Sequence, residues 1–273
     1  MREAASSCIY SLTVLCWWLV AGLSYDVNAA GNTTDYTVNI TRNNTTNDAE
    51  ANAATNTKSN AENNAQQQWE LVKSDQQHDI TVYYRRLPTG NIEFKGVTKT
   101  ESSLSGIVAV FLDFESMPQW LYRTQKVILL KQVSDKELYI YTIHTMPFPF
   151  RKRDSATFIQ LTQTPSTKLV TIKVSNAPDY IELNDDYVRV PVAVSQWQLL
   201  PLDNGRVQIT FSGHGEPGGS ISPDTYHFSL FQWLVRQFLW KVPYKSLLGL
   251  KEYASQEKYQ KHKFYFIQEL NDG

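Results

Sequence analysis

Cysteine is nearly missing from this chain. There are two, Cys8 and Cys16, and both fall near the start. The rest of the sequence can build no disulfide framework and no thiolate metal site, and it offers no cysteine nucleophile. An excess of charge is also missing: 26 Lys and Arg stand against 27 Asp and Glu, a net charge of -1. No basic field draws nucleic acid, and no Lys/Arg block reads as a polybasic patch. Catalytic spacings are absent too. The histidines, His78, His144, His214, His227 and His262, form no His-Glu-x-x-His pair, which leaves zinc with weak support. There is no Gly-x-Ser-x-Gly elbow and no glycine loop to cradle a phosphate. Ser212, His214 and Glu216 lie close in sequence but make a poor triad. Asp185-Asp186 reads as a solvated loop. No internal repeat is visible.

What is present is apolar and aromatic. Aromatics make up 12% of the chain, enough for a core with aromatic surface left over to line a pocket. Leu12 to Leu23 is an apolar run too short for a comfortable membrane span. Small residues follow at Val27-Asn28-Ala29, so residues 1–29 read as a signal peptide cleaved after Ala29. This places the protein outside the cytoplasm, secreted or periplasmic. The alternative is an uncleaved anchor with Trp17 and Trp18 in the membrane. Residues 30–65 are rich in Asn, Thr and Ala and too poor in large apolar groups to offset chain entropy; they read as a disordered tether. Asn-x-Thr triplets at Asn32, Asn39, Asn43 and Asn44 follow from that composition.

The folded part is expected from 66 to 260, with 261–273 as a tail. Gln66 to Ser74 suggests a short helix. Asp79 to Arg86 alternates Ile80, Val82 and Tyr84 and predicts a strand, returning after a Pro-Thr-Gly-Asn turn as Ile92 to Thr100. Ser102 or Ser103 caps a helix bearing Ile107, Val108, Val110, Phe111 and Phe114. Met117 to Trp120 starts a second short helix or turn. Strand signals then recur at 127–133, 137–146, 154–163, 169–175, 188–200 and 205–214, several joined by turn residues such as Asp203-Asn204-Gly205. Asn176 to Asp186 reads as a loop with a short strand. A long apolar helix closes the chain, with Pro223 in its first turn and Pro243 expected to kink or break it. Strands in hairpins with helices at both ends predict an α+β fold: a curved antiparallel sheet covered by the C-terminal helix, with an apolar cavity between them.

Several residues stand out as candidates. His144 shares a strand face with Thr142, Ile140 and Leu138, so Thr142 and His144 would be the polar points of an apolar cavity. Phe231, Leu234, Val235 and Phe238 form a stripe on the closing helix that could face a ligand. Arg153 and Asp154 at a strand start suggest an ion pair that fixes the turn, with a headgroup contact from Arg153 as the alternative. Gly218-Gly219 suits a sharp turn and a lid hinge.

Three segments resemble the START family, the lipid-transfer module named after steroidogenic acute regulatory protein. Met146-Pro147-Phe148-Pro149-Phe150-Arg151-Lys152-Arg153-Asp154 is similar to its Pro-rich turn ending in Arg-Asp. Trp197 lies in a strand followed by the Asp203–Gly205 turn. Glu216-Pro217-Gly218-Gly219-Ser220-Ile221 is close to the family's Asp-Pro-Gly-Gly-x-Ile-Pro. The likeness covers roughly residues 66–255. It departs after Ile221, where Ser222-Pro223 replaces the usual Pro, and in the basic pair Arg151-Lys152. The resemblance implies a helix-grip fold holding one lipid (sterol, phospholipid or fatty acyl), with Trp197 among the ligand-binding residues. It also implies no catalysis, no cofactor and no metal. Lipid would be the partner, with transient membrane contact and a monomeric state, and the role would be transfer or sensing. A helix-grip enzyme of cyclase or hydrolase type and a membrane-tethered interaction module remain open as alternatives.

Overall fold

The computed structural model describes residues 68–148, 150–216, 218–219 and 229–270, with side chains of the last helix described from residue 240 onward. The expected signal peptide and the expected tether lie outside the described residues. Among the described residues, ten strands form one sheet: β1 (Glu70–Asp75), β2 (Ile80–Arg86), β3 (Ile92–Glu101), β4 (Thr124–Ser134), β5 (Glu137–His144), β6 (Arg153–Gln163), β7 (Val170–Asn176), β8 (Val188–Arg189), β9 (Val192–Pro201) and β10 (Arg206–Glu216). Their order is β1-β2-β3-β10-β9-β7-β6-β5-β4, antiparallel throughout, with β8 alone pairing parallel to β6. The sheet is curved and stays open, with β1 and β4 at its edges. The helices are α1 (Leu104–Leu112), α2 (Met117–Trp120), α3 (Ser229–Ala254) and α4 (Glu257–Gln260). This is the α+β arrangement expected from the strand run and the closing helix.

Period-two alternation decides which face each strand turns inward. Ile80 and Val82 on β2, Leu199 and Trp197 on β9, and Ile209 and Phe211 on β10 are all buried. They meet α1, whose residues Leu104 to Phe111 are all buried. A helix that is apolar all round needs cover on every side; α3 and α4 supply it. Trp197 stacks on Phe211 at 3.6 Å and meets Phe111 edge-on at 5.0 Å. The Ser103 hydroxyl caps α1, accepting from the Gly106 N–H at 3.0 Å. The Glu269 carboxylate accepts from the N–H groups of Leu104 and Ser105, both at 2.9 Å. Two of the open donors at this helix start are therefore satisfied from the far end of the chain. The segment expected as a tail packs here, with Ile267 buried in the main core.

The C-terminal half of α3 is clamped in place. A Cβ added at Gly249 would lie 2.6 Å from the Trp120 carbonyl oxygen and 2.9 Å from its Cα. At Gly96 of β3, it would lie 2.6 Å from Leu247 Cδ1. Glycine gives both approaches their room, and at Gly249 the neighbour is backbone that cannot turn aside. Polar bonds add to this clamp: the Tyr244 hydroxyl donates to Asp75 at 2.5 Å, and the Lys251 ammonium donates to the His78 carbonyl at 2.6 Å. Hydrogen bonds from Tyr244 and then His78 hold the Asp75 carboxyl well below its usual range. The bond to Asp75, together with burial, pushes Tyr244 up to about 12.

Four expectations are corrected. The helix suggested over Gln66 to Ser74 is instead β1, paired with β2 from Glu70 to Asp75. Its neighbour strand supplies hydrogen bonds that so short a helix could not. The single strand expected over 188–200 is two, β8 and β9, separated by Val190 and Pro191; proline cannot donate to the ladder. Pro178–Tyr180 forms a turn of 3-10 helix where a short strand was expected. α3 continues through Pro243 rather than breaking there. Packing against β2 and β3 holds it together. The expected Pro223 helix start lies outside the described residues.

Candidate functional site

The cavity lies between the inner face of β5, β6, β7 and β9 and the layer of α1, α2 and α3. Its volume is about 710 Å³, within the range of ligand pockets. Register makes its inner wall legible. On β5 the inward residues are Leu138, Ile140, Thr142 and His144. Their partners on β6 are Ile159, Thr157, Ser155 and Arg153 in that order. Both strands therefore grade from apolar to polar in the same direction. Leu161 and Ile172 extend the apolar end, and Trp197 and Phe211 line the wall on β9 and β10.

The polar end is densely bonded. His144 Nε2 and the Ser155 hydroxyl are hydrogen-bonded at 3.0 Å. Burial pushes the His144 imidazole down to about 4, with the Asp154 carboxylate opposing that shift. At neutral pH the ring is uncharged. Thr124 at the start of β4 faces His144 in register. Trp120, Arg123 and Thr124 line the same cavity. Arg123 has a left-handed backbone, φ 67°, held in place because its carbonyl accepts from the Thr145 N–H at 2.8 Å and its hydroxyl at 3.3 Å.

Thr142, His144 and Trp197 line the cavity. Arg153 does not, although it sits on the inner-face register opposite His144. Its guanidinium donates to the carbonyls of Arg151 and Gly218 and lies over the Phe150 ring. It ties the β5–β6 turn to the loop after β10. The side chains of Phe231, Leu234, Val235 and Phe238 lie outside the described residues; their backbones belong to α3. Gly218 and Gly219 have φ 69° and 65°, the left-handed turn expected of them.

The Arg153–Asp154 ion pair is corrected. Neighbours on a strand point to opposite faces, and Asp154 pairs instead with Arg189 of β8 at 3.0 Å. The Tyr141 hydroxyl also donates to Asp154, at 2.9 Å. Burial, and then this bond to a carboxylate, pushes Tyr141 up to about 12. Arg189 donates further to the carbonyls of Pro178, Ile181 and Glu182, and so pins the 177–189 loop on the outer face.

Sequence reading missed Trp120, Arg123, Thr124, Ser155 and Thr157 as cavity residues. Ser155 and Thr157 were within reach of the alternation on β6, had its pairing with β5 been used. Thr124 lies ahead of the expected strand start at Val127, so it carried no signal. Among the described residues no cluster of three His, Cys, Asp or Glu could hold a metal, and no helix is long and apolar enough to cross a membrane.

An open antiparallel sheet gripping a C-terminal helix over an apolar cavity has close counterparts among solved structures. The STAR-related lipid transfer protein of Xanthomonas axonopodis (fragment 25–204) is 30% identical, and the match covers 69% of this chain and 99% of that one, with a TM-score of 0.60. This chain belongs to the START family. The START fold extends to human StAR-related lipid transfer protein 5, at 11% identity and a TM-score of 0.59, over 76% of this chain and 96% of that one. Human STARD10, at 15% identity and a TM-score of 0.58, covers 74% and 79% respectively. An uncharacterized protein of Pseudomonas aeruginosa is 26% identical over 69% of this chain and 87% of its own length. No protein-family model matches the chain.

Proposed function

We propose that this START domain binds one amphiphilic lipid and carries it between membranes, without covalent chemistry. The observation that carries the reading is the polarity gradient along β5 and β6. A tail would lie against Leu138, Ile140, Ile159 and Leu161, and a polar head against Thr142, His144 and Ser155. Burying acyl surface contributes about 25 cal/mol per Å² removed from water, and the polar groups orient the ligand. The names of the START relatives, lipid transfer proteins, support the same ligand class.

The polar end is poorly built for hydrolysis. His144 and Ser155 are bonded, but the nearby carboxylate, Asp154, stands on the opposite face and is held by Arg189. Among the described residues, the base lacks the orienting acid that a triad requires. Phe148, in the β5–β6 turn at the cavity rim, is 97% exposed beside exposed Arg151 and Lys152. An apolar tip flanked by cations suits brief contact with a lipid surface, and we assign membrane contact to this turn. We also propose, from the short apolar run and the small residues that end residues 1–29, that the domain works outside the cytoplasm, and that it does so as a monomer.

The test is a cavity-filling variant. Ile140→Trp intrudes where the tail would lie. Lipid extracted from protein purified without detergent should fall well below the wild-type amount, with the circular dichroism spectrum unchanged. Wild-type lipid content in a folded Ile140→Trp protein would contradict the assignment.

A further inference from the structure

One buried hydroxyl at the polar end of the cavity has no partner among the described residues. Thr124 is 8% exposed and lines the cavity, and its Oγ1 makes no hydrogen bond there. Buried polar atoms are paired in the large majority of cases, and an exception calls for a missing partner. Register fixes where that partner would sit. Thr124 on β4 faces His144 on β5, and residues directly opposed across two strands lie side by side. His144 Nε2 is bonded to the Ser155 hydroxyl of β6 at 3.0 Å. Thr142, two residues before His144 on β5, faces Ser155 in register. Thr142 and Ser155 are buried, and both line the cavity with His144. The open hydroxyl therefore borders a wall of a threonine, a serine and an imidazole.

Charge narrows the partner further. Thr124, Thr142, His144 and Ser155 are all uncharged at neutral pH, since burial keeps the His144 ring unprotonated. The Lys, Arg, Asp and Glu residues that line the cavity are engaged with other groups. The Arg123 guanidinium lies over the Tyr122 ring at 5.2 Å, and the Lys241 ammonium over the Trp240 ring at 5.7 Å. Glu216 accepts from Asn91. Asp135 and Lys136 stand in the β4–β5 turn, at the other end of β5 from His144. There Asp135 accepts from the Tyr265 hydroxyl, and Lys136 lies over the Phe266 ring. An ionised head set against this wall would be buried without a counter-charge, one of the costliest arrangements in a protein interior.

We propose that Thr124 binds the head of the lipid and that this head is an uncharged hydroxyl, as on a long-chain alcohol, rather than an ionised acid, phosphate or amine. This deepens the cavity reading above and rests on it. A hydroxyl donates and accepts at once, so it bridges Thr124 Oγ1 to the His144–Ser155 pair and completes the hydrogen bonding of the corner. Thr124 is then a specificity-determining residue: it separates a hydroxyl head from an ether of the same length, and the neutral wall turns away ions of either sign.

The experiment is calorimetric titration of the full chain, freed of bound lipid, with four probes of equal tail below their micelle-forming concentrations. They are dodecanol, dodecyl methyl ether, dodecanoate and dodecyltrimethylammonium. Transfer into an apolar pocket alone favours the ether, which has no hydroxyl to desolvate. The expected result is the reverse, with dodecanol severalfold tighter than the ether and both ions weaker than dodecanol. Thr124→Val keeps the shape and removes the hydroxyl, and it should bring the ratio of alcohol to ether affinity to parity or below. The urea midpoint of the lipid-free variant should stay at or above wild type, because the group removed was unpaired. Thr124→Ser should keep the wild-type ratio. Ser155→Ala should lower it, and decides the matter if Thr124→Val fails to fold. An ether or an ion that binds wild type as tightly as dodecanol overturns the proposal, as does an unchanged ratio in Thr124→Val or a lower midpoint for that variant without lipid. In each of those cases binding of any probe leaves the cavity reading standing. If none of the four binds, the cavity reading falls together with the proposal.

Discussion

His144 is a residue whose ionisation limits this fold. Its folded value of about 4 lies below the 6.5 of a free imidazole because burial disfavours the charged form. Between those values the unfolded chain binds more protons than the native one. Stability should therefore fall as pH drops from 6.5 to 4, by up to about 1.4 kcal/mol per pH unit. Urea unfolding midpoints across this window check the slope. In His144→Gln this contribution should vanish, and a slope identical to wild type would show that the proton is taken up elsewhere. Asp154 makes a second residue-scale case. It is 1% exposed and is held by Arg189 and Tyr141. Asp154→Ala strands the Arg189 guanidinium and should cost about 3–5 kcal/mol, measured by chemical denaturation, with the 177–189 loop becoming the first site of proteolysis.

At the scale of elements, the clamp between α3 and its neighbours fixes the cavity roof. Gly249→Ala and Gly96→Ala look alike on paper and should differ in effect. At Gly249 the new methyl meets the Trp120 backbone, which cannot turn aside; at Gly96 it meets the tip of Leu247, which can. Gly249→Ala should lose about 1–3 kcal/mol and Gly96→Ala less, by thermal or urea unfolding. Equal losses would mean that α3 shifts as a rigid body. The cap at α1 makes a similar test. Glu269→Ala opens the Leu104 and Ser105 N–H groups and should cost about 1 kcal/mol. Much of this scale was legible in the sequence: β2, β3, β5, β6, β7 and β10 follow from alternation and turn residues, because both act locally. The misses have non-local causes. β1 is a strand because β2 is beside it, and α3 survives Pro243 because β2 and β3 hold it. The Glu269 cap joins residues 164 apart or more, a distance no pattern of neighbours spans.

For the whole molecule, the same limit explains why the site was half visible. Thr142 and His144 could be placed on one face from a single strand. The corner of Thr124, His144 and Ser155 needs β4, β5 and β6 together, and the sequence alone does not say in which register these meet. Phe148 is a whole-molecule feature as well, because its role depends on a cavity rim built by other strands. Phe148→Asp should slow transfer of a fluorescent lipid between vesicles severalfold while leaving equilibrium lipid binding near wild type. An equal loss of both would place Phe148 in binding rather than in membrane contact. The central claim is that one lipid occupies the cavity, and native mass spectrometry of the protein purified without detergent tests it most directly. The account predicts a single bound lipid at one per chain, released on denaturation. A protein that emerges empty, and takes up no sterol, phospholipid or fatty acid when offered, would contradict it.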